Sequence, residues 1–299
     1  MTPPKYILPG QVVMGTRRCS ERRFFLLPDA QLTEAFGYLV AHYAERYFVG
    51  VHVGKVLGNH WHIEITDYMG LRSKFFQAVH SGMAKVVNGR LNRTGAVWDN
   101  QGLSDVVLCD PETVLEKTLY ICTNAVRHGI VKDRHEWTGM SLGPEDWGVA
   151  KTFKRPRIFT NLPETATLKT RPPACLVEMA KADGAEGYDG IRAWAIAKVD
   201  ERQEALVEAA KEGGKKFLGM LRVRRMKRSD APKGTDPKRG RYKPDFAAKD
   251  GPARHKAYLR RKRWLEGRSD VVFPKGTYWY KHFSPAKTKP DGTYGPPPD

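Results

Sequence analysis

Cysteine is scarce in this sequence, and its spacing excludes two kinds of small scaffold. The 299 residues contain four cysteines, at positions 19, 109, 122 and 175, with no C-x-x-C pair among them. Zinc ribbons and disulfide frameworks both need closely spaced or regularly paired cysteines. We therefore expect a protein of a reducing compartment, with a cytoplasmic location.

Long apolar runs are also missing. No window approaches 18 consecutive apolar residues, and residues 1–15 lack a basic segment followed by an apolar one. The first absence argues against a transmembrane helix and the second against a secretory signal peptide. The sequence predicts no membrane partner.

Acidic residues are too few to balance the basic ones. The chain holds 51 Lys and Arg against 33 Asp and Glu, for a net charge of +18. Residues 211–299 hold 25 basic and 9 acidic residues, net +16, whereas residues 1–210 are almost neutral at +2. A tail with nearly all the excess charge predicts a nucleic-acid partner, with a membrane surface as the weaker alternative.

Residues 59–65 (NHWHIEI) carry the most informative pattern in the chain. Side chains alternate faces along a strand, so His60, His62 and Glu64 are predicted on one face and Trp61 and Ile63 on the other. Two imidazoles on one face can hold a metal ion. An H-x-H pair also arises by chance, so the interpretation depends on the rest of the chain.

The first part of the chain reads as strand, helix, strand, strand, helix, strand. Asp29 is the predicted N-cap of the first helix, and Gly58 with Asn59 forms a tight turn before the histidine strand. His52, on the strand before that turn, is either a third metal ligand or a structural histidine. The predicted elements are residues 11–17, 29–43, 47–57, 59–65, 70–91 and 104–109.

A further helix has clear start and stop signals. Asp110 is its predicted N-cap, and Gly129 follows its last turn. Tyr120 and Asn124 lie four residues apart and so share one face. Two basic residues, Lys117 and Arg127, lie on neighbouring turns of the predicted helix. The tyrosine is either an ordinary amphipathic core residue or part of a phosphate-handling surface with Lys117 and Arg127.

Four segments in the first 148 residues together resemble the REP-associated tyrosine transposases, single-tyrosine members of the HUH superfamily. Residues 57–65 (LGNHWHIEI) resemble the P-N-H-x-H motif, with Gly58 in the place of proline. Residues 93–98 (RTGAVW) resemble R-x-G-x-x-W. Residues 120–131 (YICTNAVRHGIV) are similar to Y-I-x-x-N-P-V-R-A-G-L-V, departing at Ala125 and His128. Less specific likenesses are residues 137–141, 217–219 and 272–279.

The resemblance implies an α+β fold, with a ferredoxin-like antiparallel sheet flanked by helices and a basic, partly helical C-terminal extension. It also implies a transposase-like enzyme that cleaves and rejoins single-stranded or hairpin-associated DNA. In that chemistry the Tyr120 hydroxyl attacks a phosphodiester, which gives a 5′-phosphotyrosine intermediate and a free 3′-OH. His60 and His62 would hold a divalent metal, Mg²⁺ or Mn²⁺, that polarises the phosphate.

The third metal ligand is left open between two residues. Asn124 matches the polar third ligand of the family and would tie the tyrosine helix to the metal. Glu64 shares the predicted face of the two histidines. Mixed nitrogen and oxygen ligation suits Mg²⁺ or Mn²⁺ better than a closed zinc site.

The predicted organisation is a catalytic domain over residues 1–148, a linker and helical segment over 149–210, and a basic DNA-binding extension over 211–299. The extension could instead be a disordered, solubilising tail. Whether the protein acts as a monomer or a homodimer stays open, and a nucleoid-associated location follows from DNA binding. The predicted DNA-binding cations are Arg17, Arg18, Lys117, Arg127, Arg222, Arg224, Arg225, Lys227, Arg228, Arg260, Arg261 and Arg263.

Two other functions compete with this interpretation. A domesticated protein that binds DNA hairpins without cutting them would keep the fold and the basic tail. Such a protein would be free to lose His60, His62, Tyr120 or Asn124, yet all four are present. A histidine-triad nucleotide hydrolase fits less well, because the third alternate position of the strand is occupied by Glu64.

Overall fold

The structure, a computed structural model, describes residues 5–232 and 244–266. Parts of the predicted basic extension, including residues 272–279 and most of the basic run over 231–243, lie outside the described residues. Within the described ranges, no helix combines the length and apolar character needed to cross a bilayer. All four cysteines are free thiols.

The described residues form eight strands, eight α-helices and three short 3-10 helices. The strands are β1 (Gln11–Arg18), β2 (Val49–Val56), β3 (His60–Asp67), β4 (Ser104–Leu108), β5 (Ser141–Leu142), β6 (Ala150–Lys154), β7 (Thr165–Lys169) and β8 (Phe246–Ala247). The helices are α1 (Ala30–Arg46), α2 (Arg72–Arg90), α3 (Pro111–Cys122), α4 (Asn124–Arg127), α5 (Ala174–Ala182), α6 (Gly187–Glu212), α7 (Met220–Arg225) and α8 (Gly251–Glu266).

The main sheet confirms the predicted α+β class. Its strand order is β5-β2-β3-β1-β4-β8, and the four inner strands follow the β-α-β-β-α-β chain order of a ferredoxin-like core. All pairs from β5 to β4 are antiparallel. At the far edge β8, from the basic extension, pairs parallel to β4 and makes the sheet mixed.

The helix starts follow the sequence signals closely. Asp29 Oδ1 accepts a hydrogen bond of 2.8 Å from the backbone of Leu32, and Asp110 Oδ1 accepts one of 2.7 Å from Thr113. Each bond satisfies a backbone donor that has no partner in the first helical turn. After α4 the chain turns at Gly129, whose φ of +65° is the left-handed conformation that favours glycine.

The two faces of β3 have different roles, as the alternation predicts. Trp61 and Ile63 are buried beneath α1 and α2, and the Trp61 ring lies 4.9 Å from the ring of Phe36 and 6.2 Å from that of Phe76, between centroids. The sheet and α2 approach each other closely at Gly15, where an added Cβ would lie 2.4 Å from Phe76. The opposite face, with His60 and His62, is turned towards α3.

His52 is a structural residue and lies at an irregularity of β2. The pairing of β2 with β3 shifts register between Val51 and Val53, which marks a bulge at His52. Its ring nitrogens lie 2.7 Å from the Arg171 carbonyl oxygen and 2.7 Å from Thr66 Oγ1. Both nitrogens are therefore used in folding, and burial lowers the pKa of His52 to about 4.

The segment predicted as a linker contains regular structure that the sequence did not indicate. Strands β6 and β7 form an antiparallel hairpin that covers α1, and Phe153 fills the space above Gly37. The helical part predicted for this segment is present as α5 and α6. In the extension, Phe246 and Trp264 are buried and contact the Tyr6 ring at centroid distances of 6.1 and 5.5 Å.

Candidate active site

The fold brings the histidine strand and the tyrosine helix together. The His60 and His62 rings are 4.8 Å apart between centroids, and the Tyr120 ring lies 5.3 Å from that of His62 in an edge-to-face arrangement. His62 is buried, whereas His60 and Tyr120 are partly accessible. A ligand could therefore reach the tyrosine while the inner histidine stays protected from solvent.

Hydrogen bonds to Nδ1 orient both imidazoles. Nδ1 of His62 lies 2.7 Å from Thr16 Oγ1, and Nδ1 of His60 lies 2.7 Å from Asn59 Oδ1. Asn59 is itself held, because its Nδ2 donates a bond of 3.0 Å to the carbonyl oxygen of Arg22. Partners of this kind fix ring orientation in metal sites, and in such a site Nε2 would be the ligand atom of His62.

Three buried polar atoms of the predicted metal ligands have no hydrogen-bond partner among the described residues: His62 Nε2, Asn124 Oδ1 and Asn124 Nδ2. Such orphans are rare in native proteins and need an explanation. Burial, followed by the charges of His60, His128 and Arg18, lowers the pKa of His62 well below its usual value. A neutral imidazole and an amide oxygen are ligands that a divalent cation could take, so these residues fit a metal ion.

Glu64 lies on the same strand face but has a different environment. It is fully buried, and the Thr118 hydroxyl donates to its carboxyl oxygens at distances of 3.1 and 3.2 Å. Burial raises the pKa of Glu64 to about 8, which favours the uncharged carboxyl at neutral pH. Within residues 5–232 and 244–266, no group of three His, Cys, Asp or Glu could hold a metal.

Lys55 connects β2, the neighbour of the His60–His62 strand, to the end of α3, the helix that carries Tyr120. It pairs with His62 across β2 and β3, and its buried ammonium donates a bond of 2.8 Å to the carbonyl oxygen of Cys122, the last residue of α3. Burial lowers the pKa of Lys55 to about 8. The sequence did not reveal this residue, since its contact depends on strand register and on where the helix ends.

Two of the predicted DNA-binding cations flank Tyr120. Lys117 shares α3 with it, and Arg127 is the last residue of α4, because the predicted single helix is divided at Thr123. The Arg127 guanidinium is exposed and lies 5.6 Å from the centre of the Tyr120 ring. Lys117 lies about one turn before Tyr120 on α3 and forms an ion pair of 2.9 Å with Glu116. Arg127 therefore places a positive charge directly beside the tyrosine.

The other predicted cations divide by their surroundings. Arg17 donates to the Asp99 carbonyl oxygen at 2.8 Å, and Arg261 pairs with Asp245 at 3.3 Å. Arg228 donates to the carbonyl oxygens of Phe25 and Leu27 and pairs with Asp29, so it has a structural role. Arg18 lies beside His60. The exposed members of the set are Arg222, Arg224, Arg225, Lys227, Arg260 and Arg263.

A cavity of about 300 Å³ opens beside His60 and His128. Part of its wall comes from residues 217–232, which we call the strap. At one end of the strap Leu218 and Gly219 donate backbone hydrogen bonds of 2.8 Å to Gly129 and Ile130. At the other end the Asp230 carbonyl oxygen accepts a bond of 2.9 Å from the backbone of residue 24. The strap thus runs from the end of the tyrosine helix to the loop before α1.

The fold and the site together define an α+β protein in which a His-x-His strand faces a tyrosine carried on a helix. No protein-family model matches the chain, and no curated protein matches it. Solved structures give partial likenesses. A REP-associated tyrosine transposase bound to a REP hairpin is 17% identical, with a TM-score of 0.41, over 49% of this chain and 84% of that chain.

Two further structures show weaker likenesses. A putative transposase from Deinococcus radiodurans R1 is 10% identical, with a TM-score of 0.29, over 39% of this chain and 93% of that chain. A bacterial tRNA(His) guanylyltransferase-like protein in complex with GTP is 14% identical, with a TM-score of 0.32, over 42% of this chain and 67% of that chain.

Proposed function

We propose that this protein is a metal-dependent, single-tyrosine enzyme that cleaves and rejoins single-stranded or hairpin-associated DNA. One observation carries the proposal. A partly accessible tyrosine ring lies 5.3 Å from the ring of His62, whose Nε2 is buried without a partner among the described residues. The Asn124 side chain, one helical turn beyond Tyr120, is buried in the same unsatisfied condition.

The bond changes of the proposed reaction are those of a phosphoryl transfer. The Tyr120 oxygen forms a bond to phosphorus as the bond from phosphorus to the 3′ oxygen breaks. The phenol loses a proton and the departing 3′ oxygen gains one, so the step balances without a co-reactant. Attack by a 3′-OH on the phosphotyrosine reverses the step and joins a strand.

Residues around Tyr120 have separate tasks in this proposal. His60, His62 and Asn124 would hold Mg²⁺ or Mn²⁺, which supplies Lewis-acid polarisation of the scissile phosphate when bound. Arg127 would attract the DNA phosphate towards the tyrosine, since its charge lies beside the ring. Thr16 and Asn59 fix the two imidazole rings.

The position of the tyrosine favours a flexible strand as the substrate. Tyr120 is half-buried, with the His62 ring and the Arg127 guanidinium both close to its own ring. A single strand can bend a phosphate towards a half-buried side chain more easily than a stiff duplex can. The exposed arginines of α7 lie on the strap and would bind the backbone of the same strand.

The deciding experiment looks for the covalent link. Wild-type protein is incubated with end-labelled single strands that contain hairpins, with Mg²⁺ or Mn²⁺, and adducts are separated on a denaturing gel. We expect an adduct from wild type and none from Tyr120→Phe. Tyr188→Phe is the matched control, because Tyr188 is an exposed tyrosine on α6.

The outcome separates this function from its nearest competitor. DNA binding without an adduct on any strand pool would reject the enzyme and favour a protein that only binds hairpins. An adduct that persists in Tyr120→Phe would show that a different residue is the nucleophile.

A further inference from the structure

The cavity beside His60 is apolar and has aromatic walls. Phe24, Leu57 and Trp137 line one part of it, and Val223 and Met226 of the strap line another. The Trp137 indole nitrogen donates a bond of 2.8 Å to the Val56 carbonyl oxygen. With its polar atom engaged in that bond, the Trp137 ring offers the cavity an apolar surface.

The same cavity has positive charge on two sides. Arg18 and Arg22 line it near the histidines. On the strap, Val223 is 2% exposed and faces the cavity, while its helical neighbours Arg222 and Arg224 are exposed. An occupant that enters from the histidine end would thus be apolar in its centre and anionic at its flanks.

The size of the cavity limits that occupant. A volume of about 300 Å³ is at the lower end for ligand sites and is suited to one flat ring system. A base pair inside a duplex is held by its stacking neighbours and could not enter. A single unstacked base on a sugar–phosphate chain meets all the requirements, because its faces are apolar and the phosphates on both sides are anionic.

We propose that this cavity binds one unstacked base of the DNA strand, beside the phosphate that Tyr120 attacks. The inference rests on the proposed function of the same site. It adds that the strap belongs to the substrate site and that the enzyme senses a base at one position. Base–aromatic contacts with Phe24 and Trp137 supply affinity, and the cations hold the neighbouring phosphates.

An abasic scan tests this directly on the wild-type protein. A series of otherwise identical strands carries one abasic nucleotide at each position of the single-stranded segment beside the hairpin, and the dissociation constant of each is measured at a fixed salt concentration. Each strand keeps every phosphate, so any loss of affinity reports the base alone. We expect one position at which removal of the base weakens binding about 5- to 150-fold.

A variant that fills the cavity assigns this effect to the strap. In Met226→Trp the larger side chain would occupy the space of the base, so base removal at the sensitive position should cost this variant little. Leu221→Trp is the matched control, since Leu221 lies on α7 but is 74% exposed and does not line the cavity. In the control, removal of the base at the sensitive position should weaken binding as much as it does in wild type. A melting curve for each variant checks that it is folded.

The outcomes separate the cavity from the enzyme. No sensitive position, in a wild type that binds DNA and forms the adduct, would overturn the base site and leave the enzyme standing. An equal penalty in wild type and folded Met226→Trp would place the base elsewhere and also overturn it. A sensitive position that Met226→Trp removes, in a protein that never forms an adduct, would support the base site while rejecting strand cleavage.

Discussion

The Lys55 ammonium donates a hydrogen bond of 2.8 Å to the carbonyl oxygen of Cys122, and both residues are buried. This bond joins the strand next to His62 to the end of the helix that carries Tyr120. The carbonyl groups at a helix end lack partners within the helix and attract positive charge. In the proposed enzyme Lys55 would be a positioning residue that fixes α3, which carries Tyr120, relative to β3, which carries His60 and His62.

Lys55→Met should slow adduct formation about 10- to 100-fold, because small displacements of reacting groups have effects of that size. Affinity for DNA should stay near the wild-type value, since Lys55 is buried and cannot contact the DNA. The measurement is the single-turnover rate of adduct formation beside the dissociation constant. Lys198→Met, on α6, is the control. An unchanged rate, or an equal loss of rate and affinity, would contradict the positioning role.

Asn124→Ala should weaken Mn²⁺ binding about tenfold or more, whereas Glu64→Gln should leave it nearly unchanged. Asn124 has two buried side-chain atoms without a partner among the described residues, while the Glu64 carboxyl is bound by Thr118. Removal of a residue that only hydrogen-bonds to a metal ligand usually lowers the metal affinity 10- to 100-fold. Titration of free protein with Mn²⁺, followed by electron paramagnetic resonance, measures this without DNA. The reverse result would assign the third ligand to Glu64.

Acid should destabilise the protein through His52. Burial lowers the pKa of His52 to about 4 in the folded state, against 6.5 for a histidine in water. The unfolded state then binds more protons between these values, so stability is complete above pH 6.5 and falls as the pH drops towards 4. The expected loss from this group between pH 7 and pH 5 is about 2 kcal/mol.

Urea unfolding at the two pH values measures the effect of His52. His52→Gln should be less stable at pH 7, because it disturbs the bonds to Thr66 and Arg171, but should lose about 2 kcal/mol less on acidification. His135→Gln is the control, since His135 is exposed. An equal loss in wild type and His52→Gln would remove His52 as the cause.

The triple variant R222Q/R224Q/R225Q should bind single strands more weakly and with a smaller salt dependence. These arginines are exposed on α7. Each phosphate contact contributes about 0.7 to the logarithmic salt slope for a single strand, so the slope should fall by about 2. K169Q/K181Q/K211Q removes the same charge from other exposed positions and is the control. An equal change in both variants would show that the lower affinity comes from the lower net charge and not from contacts made by the arginines of α7.

Substitution is a better test of the extension than deletion. A truncation after residue 210 would remove Phe246 and Trp264, which are buried against Tyr6, together with the strand that covers the edge of β4. Lost DNA binding in that truncation could then come from lost packing. The charge variants leave those contacts in place.

The local features of the fold could be predicted from the sequence, because their causes are local. The caps at Asp29 and Asp110 and the alternation through His60 and His62 depend only on neighbouring residues. The pairing of Thr16 with His62 requires strand register, and the bond from Lys55 to Cys122 requires the helix packing angle. Neither is encoded within a few residues, so sequence patterns could not indicate them.

The β6–β7 hairpin and the strap were missed for the same reason. The prolines and glycines of residues 149–188 suggested a linker, yet Phe153 and Leu168 pack against the core and order the segment. The helix of the strap, α7, is only six residues long, which is too short to show a clear period in the sequence. Its position depends on backbone bonds to Gly129, Ile130 and Phe24, which are far away in the chain.

The strap also sets an order of events during synthesis. His60, His62 and Tyr120 leave the ribosome well before residues 217–232. The residues of the candidate active site are therefore synthesised before the strap. Until the strap has been made and docked, Leu57, Val126 and Trp137 lack the neighbours that bury them in the finished protein. A nascent chain halted before the strap would expose this apolar surface, making the interval a natural point for chaperone binding.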